Sequence, residues 1–219
     1  MQWTDVHEIF INFRRRRMKN FYKLLQPSAQ TRLLDVGGTT NTWLQESSTW
    51  LKESSGDEQF PVTLVNINPS KLLSERFSEV HCDAISLPFA NESFDIAFSN
   101  SVIEHMTSWE RQKQFASEIR RVAKKLWVQT PARCFPIESH TLTPFFQFLP
   151  RRLQKRMARY FTLRGLLTRP TPEEIDALLS DIRLLGLEEM KQLFPDCTIL
   201  NERVLGLTKS YVAVRIPAE

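Results

Sequence analysis

The sequence predicts an α/β protein built on a mostly parallel sheet, and three observations predict it. Short apolar runs recur at intervals of about thirty residues, with helix-compatible stretches between them. The first of these runs stops at a glycine pair, Gly37-Gly38. The chain closes on two β-rich runs around Gly206. Strand and helix in alternation with that period are the mark of right-handed βαβ units, and the closing runs read as a β-hairpin.

Residues 5–25 place Val6, Ile9, Phe10, Phe13, Met18, Phe21 and Leu24 at spacings near three and four, the pattern of an amphipathic helix with Asp5 as N-cap. Pro27 ends it. Residues 32–36 (RLLDV) form a short apolar run of the kind a buried parallel strand needs. A helix-compatible stretch over 41–51 and a polar loop over 53–59 lead to a second β-rich run at 61–66 (PVTLVN). A helix-prone segment over 70–77 precedes a short third strand expected at 80–82. Residues 94–99 (FDIAFS) give the fourth strand, 109–122 a helix with a basic end, and 125–130 (KLWVQT) a fifth strand stopped by Pro131. Then the rhythm changes: Pro136, Pro144, Pro150, Pro170 and Pro172 break the chain into short pieces rich in Phe and Arg. The hairpin is expected from 197–205 and 210–216.

At 219 residues a single domain over 1–219 is the default. Within it, residues 1–28 are read as an N-terminal helix and 132–195 as a helical insertion or lid on the substrate side. Apolar residues make up 42% and charged residues 25%, an ordinary balance for a soluble globular chain. The formal charge of +4 comes partly from two local runs, 14–17 and 151–159, and does not imply nucleic-acid binding. Cys82, Cys134 and Cys197 are far apart and contain no CxxC pair, so neither a zinc site nor a disulfide framework is indicated, and a cytoplasmic location fits. No signal peptide is apparent, and no run of about eighteen apolar residues would span a membrane.

Ligands of doubly wound folds sit outside the carboxyl ends of the strands. Gly37 and Gly38 let the backbone turn tightly there and approach a ligand, while Thr39 or Asn41 can cap the following helix. Neither a GxGxxG fingerprint nor a Walker lysine is present, which disfavours phosphate binding. Asp35, just before the glycines, suits a ligand carrying positive charge; as a plain structural residue it would cap the helix. The second strand exits at Asn66-Ile67. Asn66 has a carbonyl to accept from one ribose hydroxyl and an amide to donate to the other. The Asp83 carboxylate can accept from an exocyclic amine, and the Ala84 amide can donate to a ring. Asn100 and Ser101 are polar groups directly after the fourth strand.

These residues resemble the class I S-adenosylmethionine-dependent methyltransferases, in particular the branch called type 11. The resemblance covers about residues 31–131 and rests on LLDVGG, on Asn66, on CDAISLPFANESFDIAFSNSVIEHM and on the exit Trp127-Val128-Gln129-Thr130-Pro131. It implies a Rossmann-like, seven-stranded, mostly parallel sheet with a terminal antiparallel hairpin. It also implies S-adenosylmethionine as cofactor and S-adenosylhomocysteine as product. Asp35, Gly37, Gly38 and Thr39 would hold the amino-acid end, Asn66 and Ile67 the ribose side, Asp83 and Ala84 the adenine, and Asn100 and Ser101 the methionine moiety. Two departures stand out: Thr39 and Asn41 occupy positions where glycines are common, and Asn66 replaces the usual ribose carboxylate.

Methyl transfer asks the protein mainly for positioning and desolvation; a general base is needed only for a hydroxyl or a protonated amine. His105 with Glu104, after the fourth strand, and His140, in the loop after the fifth, are the candidate catalytic residues. No metal-ligand spacing appears. A small-molecule acceptor is expected. Phe145, Phe146, Phe148 and Leu149 are read as a roof over it, and the basic run 151–159 as a lid, a patch for anionic lipid, or the solvated face of a packed helix. The alternatives are a binding or partner module of this fold without turnover and, less in keeping with the residues, an RNA methyltransferase.

Overall fold

The computed structural model describes residues 3–44, 60–68, 75–138, 143–162, 166 and 168–217. The helix expected over 41–51 is described only through residue 44, and most of the one expected over 70–77 lies outside the described residues. By its contacts the chain divides into two compact units, Met1–Ser99 with Glu118–Trp127 and Arg215–Glu219, and Asn100–Ser117 with Val128–Val214.

The elements follow in chain order. They are α1 (Trp3–Leu25), β1 (Leu33–Val36), β2 (Val62–Asn66), β3 (Phe77–His81), β4 (Phe94–Asn100), α2 (Trp109–Val122) and β5 (Ala123–Pro131). Then come β6 (Ile137–Glu138), β7 (Thr143–Pro144), α3 (Arg151–Phe161), α4 (Pro172–Ser180), α5 (Leu187–Leu193), β8 (Thr198–Val204) and β9 (Leu207–Arg215). Seven strands form one sheet in the order β3-β2-β1-β4-β5-β9-β8. Strand β1 pairs in parallel with both β2 and β4, with Leu33 opposite Val62 and Ile96, and β2 pairs in parallel with β3. All four residues of β1 are buried, as expected of a strand covered on both faces. The expected seven-stranded α/β architecture is therefore the observed one, including its hairpin. β8 and β9 are antiparallel, and the turn between them holds Leu205 at φ 49° and Gly206 at φ 81°, the pair of positive φ values that a two-residue hairpin turn demands.

The third strand differs from expectation. It begins at Phe77, three residues before the predicted start, in a stretch read as the end of a helix. In FSEVH only Phe77 is fully buried, so this outer strand lacks the continuous apolar signal that marks β1.

In the first unit, α1 delivers Met18, Phe21 and Leu25 to the core, all at most 1% exposed. Phe21 is the hub of an aromatic cluster. Its ring stands edge-on to Trp43 at 5.9 Å, to Phe98 at 5.3 Å and to Trp127 at 5.8 Å. Edge-to-face pairs of this kind add to the area they bury.

In the second unit, Phe146, Ala158, Ile175 and Leu179 form a buried cluster with Leu149 and Met157 packed on it, so α3 and α4 meet through their apolar faces. Helix α4 starts on a capping box, Thr171 with Glu174, and Pro172 occupies its first turn. The basic residues Arg151, Arg152, Lys155 and Arg156 of α3 are exposed, and Lys155 pairs with Asp176 at 2.8 Å. Of the phenylalanines expected to roof a ligand, Phe146 is instead a core residue of this cluster, while Phe145 and Phe148 are exposed. Among the described residues no helix is long and apolar enough to cross a membrane.

Phe21→Ala removes the hub ring from a site with no room to collapse. A loss of about 3–5 kcal/mol in unfolding free energy is expected, measured by chemical denaturation.

Candidate functional site

Because β1, β2, β3 and β4 run parallel, their carboxyl ends lie along one edge of the sheet, and the residues leaving them are the candidate ligand contacts. At the exit of β1, Gly37 adopts φ 79°, a left-handed conformation that glycine takes without cost. The Gly37 N–H donates to Val65 O at 2.8 Å, and Ser99 Oγ donates to Val36 O at 3.0 Å, so the neighbouring strands stitch the turn in place. Gly38 is glycine for a different reason: a Cβ there would lie 1.7 Å from Asp35 Oδ2.

Asp35 is completely buried, and its Oδ2 accepts a hydrogen bond from Trp43 Nε1 at 2.8 Å. Asp35, expected to meet the amino-acid end of a cofactor, lies enclosed at this position. The carboxylate is turned into the protein, where it satisfies an indole of the aromatic cluster. Trp43 was not singled out in the sequence. The available signal was a tryptophan in an otherwise polar stretch, whose N–H needs an acceptor once its ring is buried.

At the exit of β2, Asn66 Nδ2 donates to Gly38 O at 3.0 Å and to Glu79 Oε1 at 3.2 Å. The amide expected to donate to a ribose hydroxyl is thus engaged within the protein. Ile67 is 70% exposed. After β3, Asp83 Oδ1 accepts from the Ile85 N–H at 3.2 Å, closing a short side-chain turn, and Ala84 is buried. Thr39 is exposed, and its carbonyl accepts from the Thr42 N–H at 3.1 Å.

The second unit holds the candidates for proton transfer. Asn100 is the last residue of β4. Ser101, at φ 58°, donates through both N–H and Oγ to Gln129, each at 3.0 Å. A single 3-10 turn, Ile103–His105, follows. Glu104 is completely buried and its Oε2 accepts from Thr130 Oγ1 at 2.9 Å. That hydrogen bond anchors the turn that carries Glu104, the expected acid–base candidate. His105 is partly exposed, and its Nδ1 lies 2.9 Å from Asp181 Oδ2. Asp181 follows α4, 76 residues downstream, and nothing local in the sequence marks it. The turn is braced further by Gln112, whose Nε2 donates to Ile103 O at 3.0 Å and Arg183 O at 2.9 Å, and by the Arg183 N–H, which donates to Glu104 O at 2.7 Å. His140 lies outside the described residues. Among the described residues no group of His, Cys, Asp and Glu is arranged to hold a metal ion.

Residues 44–126 match the family model of a methyltransferase domain. This stretch of the chain is similar to a methyltransferase domain. Solved structures share its fold. Phosphoethanolamine N-methyltransferase 2 of Haemonchus contortus is 16% identical with a TM-score of 0.54, over 85% of this chain and 38% of its own. YcgJ of Bacillus subtilis is 18% identical with a TM-score of 0.53, over 86% and 70%. A SAM-dependent methyltransferase from Aquifex aeolicus is 14% identical with a TM-score of 0.50, over 90% and 87%. The chain thus spans well under half the length of the nematode enzyme. No curated protein matches it in sequence.

The Haemonchus contortus enzyme was solved in complex with S-adenosyl-L-methionine, a nucleoside that bears a sulfonium. Exposed backbone at Gly37, the accepting oxygen of Asn66 and the exposed apolar Ile67 suit a nucleoside, with no cationic side chain in the glycine loop to oppose a sulfonium.

In the first unit the segment after Ala84 is locked onto α2. Glu118 Oε2 accepts from the Leu87 N–H at 2.8 Å, while Arg121 donates to Phe89 O at 2.6 Å, Leu87 O at 3.0 Å and Glu118 Oε2 at 2.8 Å. The side-chain hydrogen bond from Arg121 holds the Glu118 carboxyl below its ordinary value. A carboxyl depressed by folding contributes stability above its unfolded pKa, and that stability is lost as pH falls through the folded pKa. Unfolding followed against pH should therefore show wild type losing stability on the acid side of the ordinary glutamate range, with a shallower acid slope in Glu118→Gln.

Trp43→Phe leaves the buried Asp35 Oδ2 without its indole donor. A loss of about 1–3 kcal/mol in unfolding free energy is expected, read by denaturant titration.

Proposed function

We propose that the chain transfers the methyl group of S-adenosylmethionine to a small-molecule acceptor. The observation that carries this reading is the edge where parallel strands β1 and β2 end, with the Gly37-Gly38 turn and Asn66 hydrogen-bonded to it through Gly38 O. Gly37, Gly38 and Thr39 offer backbone to the methionine end. Asn66 and Ile67 serve the ribose side, and Asp83 and Ala84 the adenine. When bound, the cofactor supplies a methyl carbon made electrophilic by its sulfonium.

The protein's own contribution to proton transfer is the His105–Asp181 pair. With Nδ1 directed at the Asp181 carboxylate, the imidazole has its basic nitrogen at Nε2. For an acceptor that must lose a proton, His105 Nε2 would take that proton, and the Asp181 carboxylate would stabilise the resulting imidazolium. Support for a small acceptor comes from α3, whose basic run is a solvated helix face with Lys155 paired to Asp176. That arrangement leaves an RNA substrate without a dedicated feature among the described residues.

The reading is tested by calorimetric titration with S-adenosylmethionine followed by an acceptor screen. Saturable binding with turnover supports it; binding without turnover on any acceptor would favour a partner module. For an acceptor that must lose a proton, His105→Asn should lower kcat/KM by about a hundredfold, measured by steady-state kinetics.

A further inference from the structure

Asn66 departs from the family pattern, which places a carboxylate at this strand exit to take both ribose hydroxyls. Its surroundings explain the departure. Two acceptors, Gly38 O at 3.0 Å and Glu79 Oε1 at 3.2 Å, stand at one end of its carboxamide. Only the nitrogen end can occupy that place, since the reverse orientation would set Oδ1 against two oxygens with no proton between them. Glu79 is itself held. Its side chain is only 6% exposed, and its other oxygen, Oε2, lies 3.1 Å from His81 Nε2. Asn66 is registered with His81 and Leu64 with Glu79, so the sheet brings this carboxylate to the exit of β2 from the neighbouring strand.

We propose that Glu79 is a positioning residue for cofactor binding. It fixes the Asn66 carboxamide so that Oδ1 is the atom offered to a ribose hydroxyl. This rests on the reading that the first unit binds S-adenosylmethionine. The carboxylate of the site has moved from β2 to β3, and the amide at position 66 is what that move requires. An aspartate at this position would restore the family's usual residue at a cost. It could not donate to Gly38 O, and it would place two carboxylates in contact, where one must take a proton or both repel.

The test measures the affinity of S-adenosylhomocysteine by calorimetry in wild type, Asn66→Asp, Glu79→Ala and a double variant combining Asn66→Asp with Glu79→Gln, with a thermal melt for each. Asn66→Asp should bind about tenfold or more weakly near neutral pH, and its deficit against wild type should shrink between about pH 8 and about pH 5.5 as the pair takes up a proton. In the double variant the new carboxamide on β3 can donate to the new carboxylate on β2, so most of the loss should be recovered. Glu79→Ala should weaken binding about threefold to tenfold, since only Gly38 O then remains to fix the carboxamide's orientation. Wild-type binding together with an Asn66→Asp variant that binds as well or better would overturn the proposal and leave the cofactor reading intact. Absence of binding by wild type would overturn both. Should Asn66→Asp fail to fold, Glu79→Ala decides: unchanged affinity refutes the role of Glu79.

Discussion

The candidate cofactor edge depends on one buried carboxylate. Asp35 lies near the end of the innermost apolar strand, is completely enclosed, and gives its Oδ2 to the Trp43 indole. A buried carboxylate without a donor is costly, so the tryptophan that satisfies it ties the aromatic cluster around Phe21 to the point where β1 stops. The same carboxylate fills the space a side chain at residue 38 would need. Gly38 must then be glycine, its carbonyl is positioned to receive Asn66, and Asn66 is oriented in turn by Glu79. Core packing and the shape of the strand exit are thereby one connected arrangement.

Much of the fold was legible in the sequence because its signals are local. Residues 33–36 are continuously apolar but for one carboxylate, helix α2 starts and ends where its periodicity and basic end predict, and the Leu205-Gly206 turn sits between two β-rich runs. The β3 strand was misplaced because an outer strand with one fully buried residue carries little hydrophobic pattern. Short motifs mark the strand exits, and the structure places the glycine pair and Asn66 at the ends of β1 and β2 and His105 shortly after β4. The side chains that partner them carry no such motif. Trp43 acts on Asp35 from the next helix, Glu79 on Asn66 from the neighbouring strand, and Asp181 on His105 from far along the chain. Such pairings come from tertiary contact and leave no spacing to read.

Those partners also redistribute the roles. Asp35 and Glu104, two acidic residues placed at the site by their motifs, are both fully buried and hydrogen-bonded within the protein. Their work is to shape the strand exit and to anchor the 3-10 turn. In the first unit Gly37 and Ile67 stay exposed, and in the second His105 stays partly so.

The most direct measurement is a crystal structure of the protein soaked with S-adenosylhomocysteine. The account predicts the ligand at the carboxyl ends of β1 and β2, with a ribose hydroxyl on Asn66 Oδ1 and the backbone of Gly37-Gly38 along its methionine end. A ligand bound elsewhere, or an Asn66 whose nitrogen faces the ribose, would contradict it.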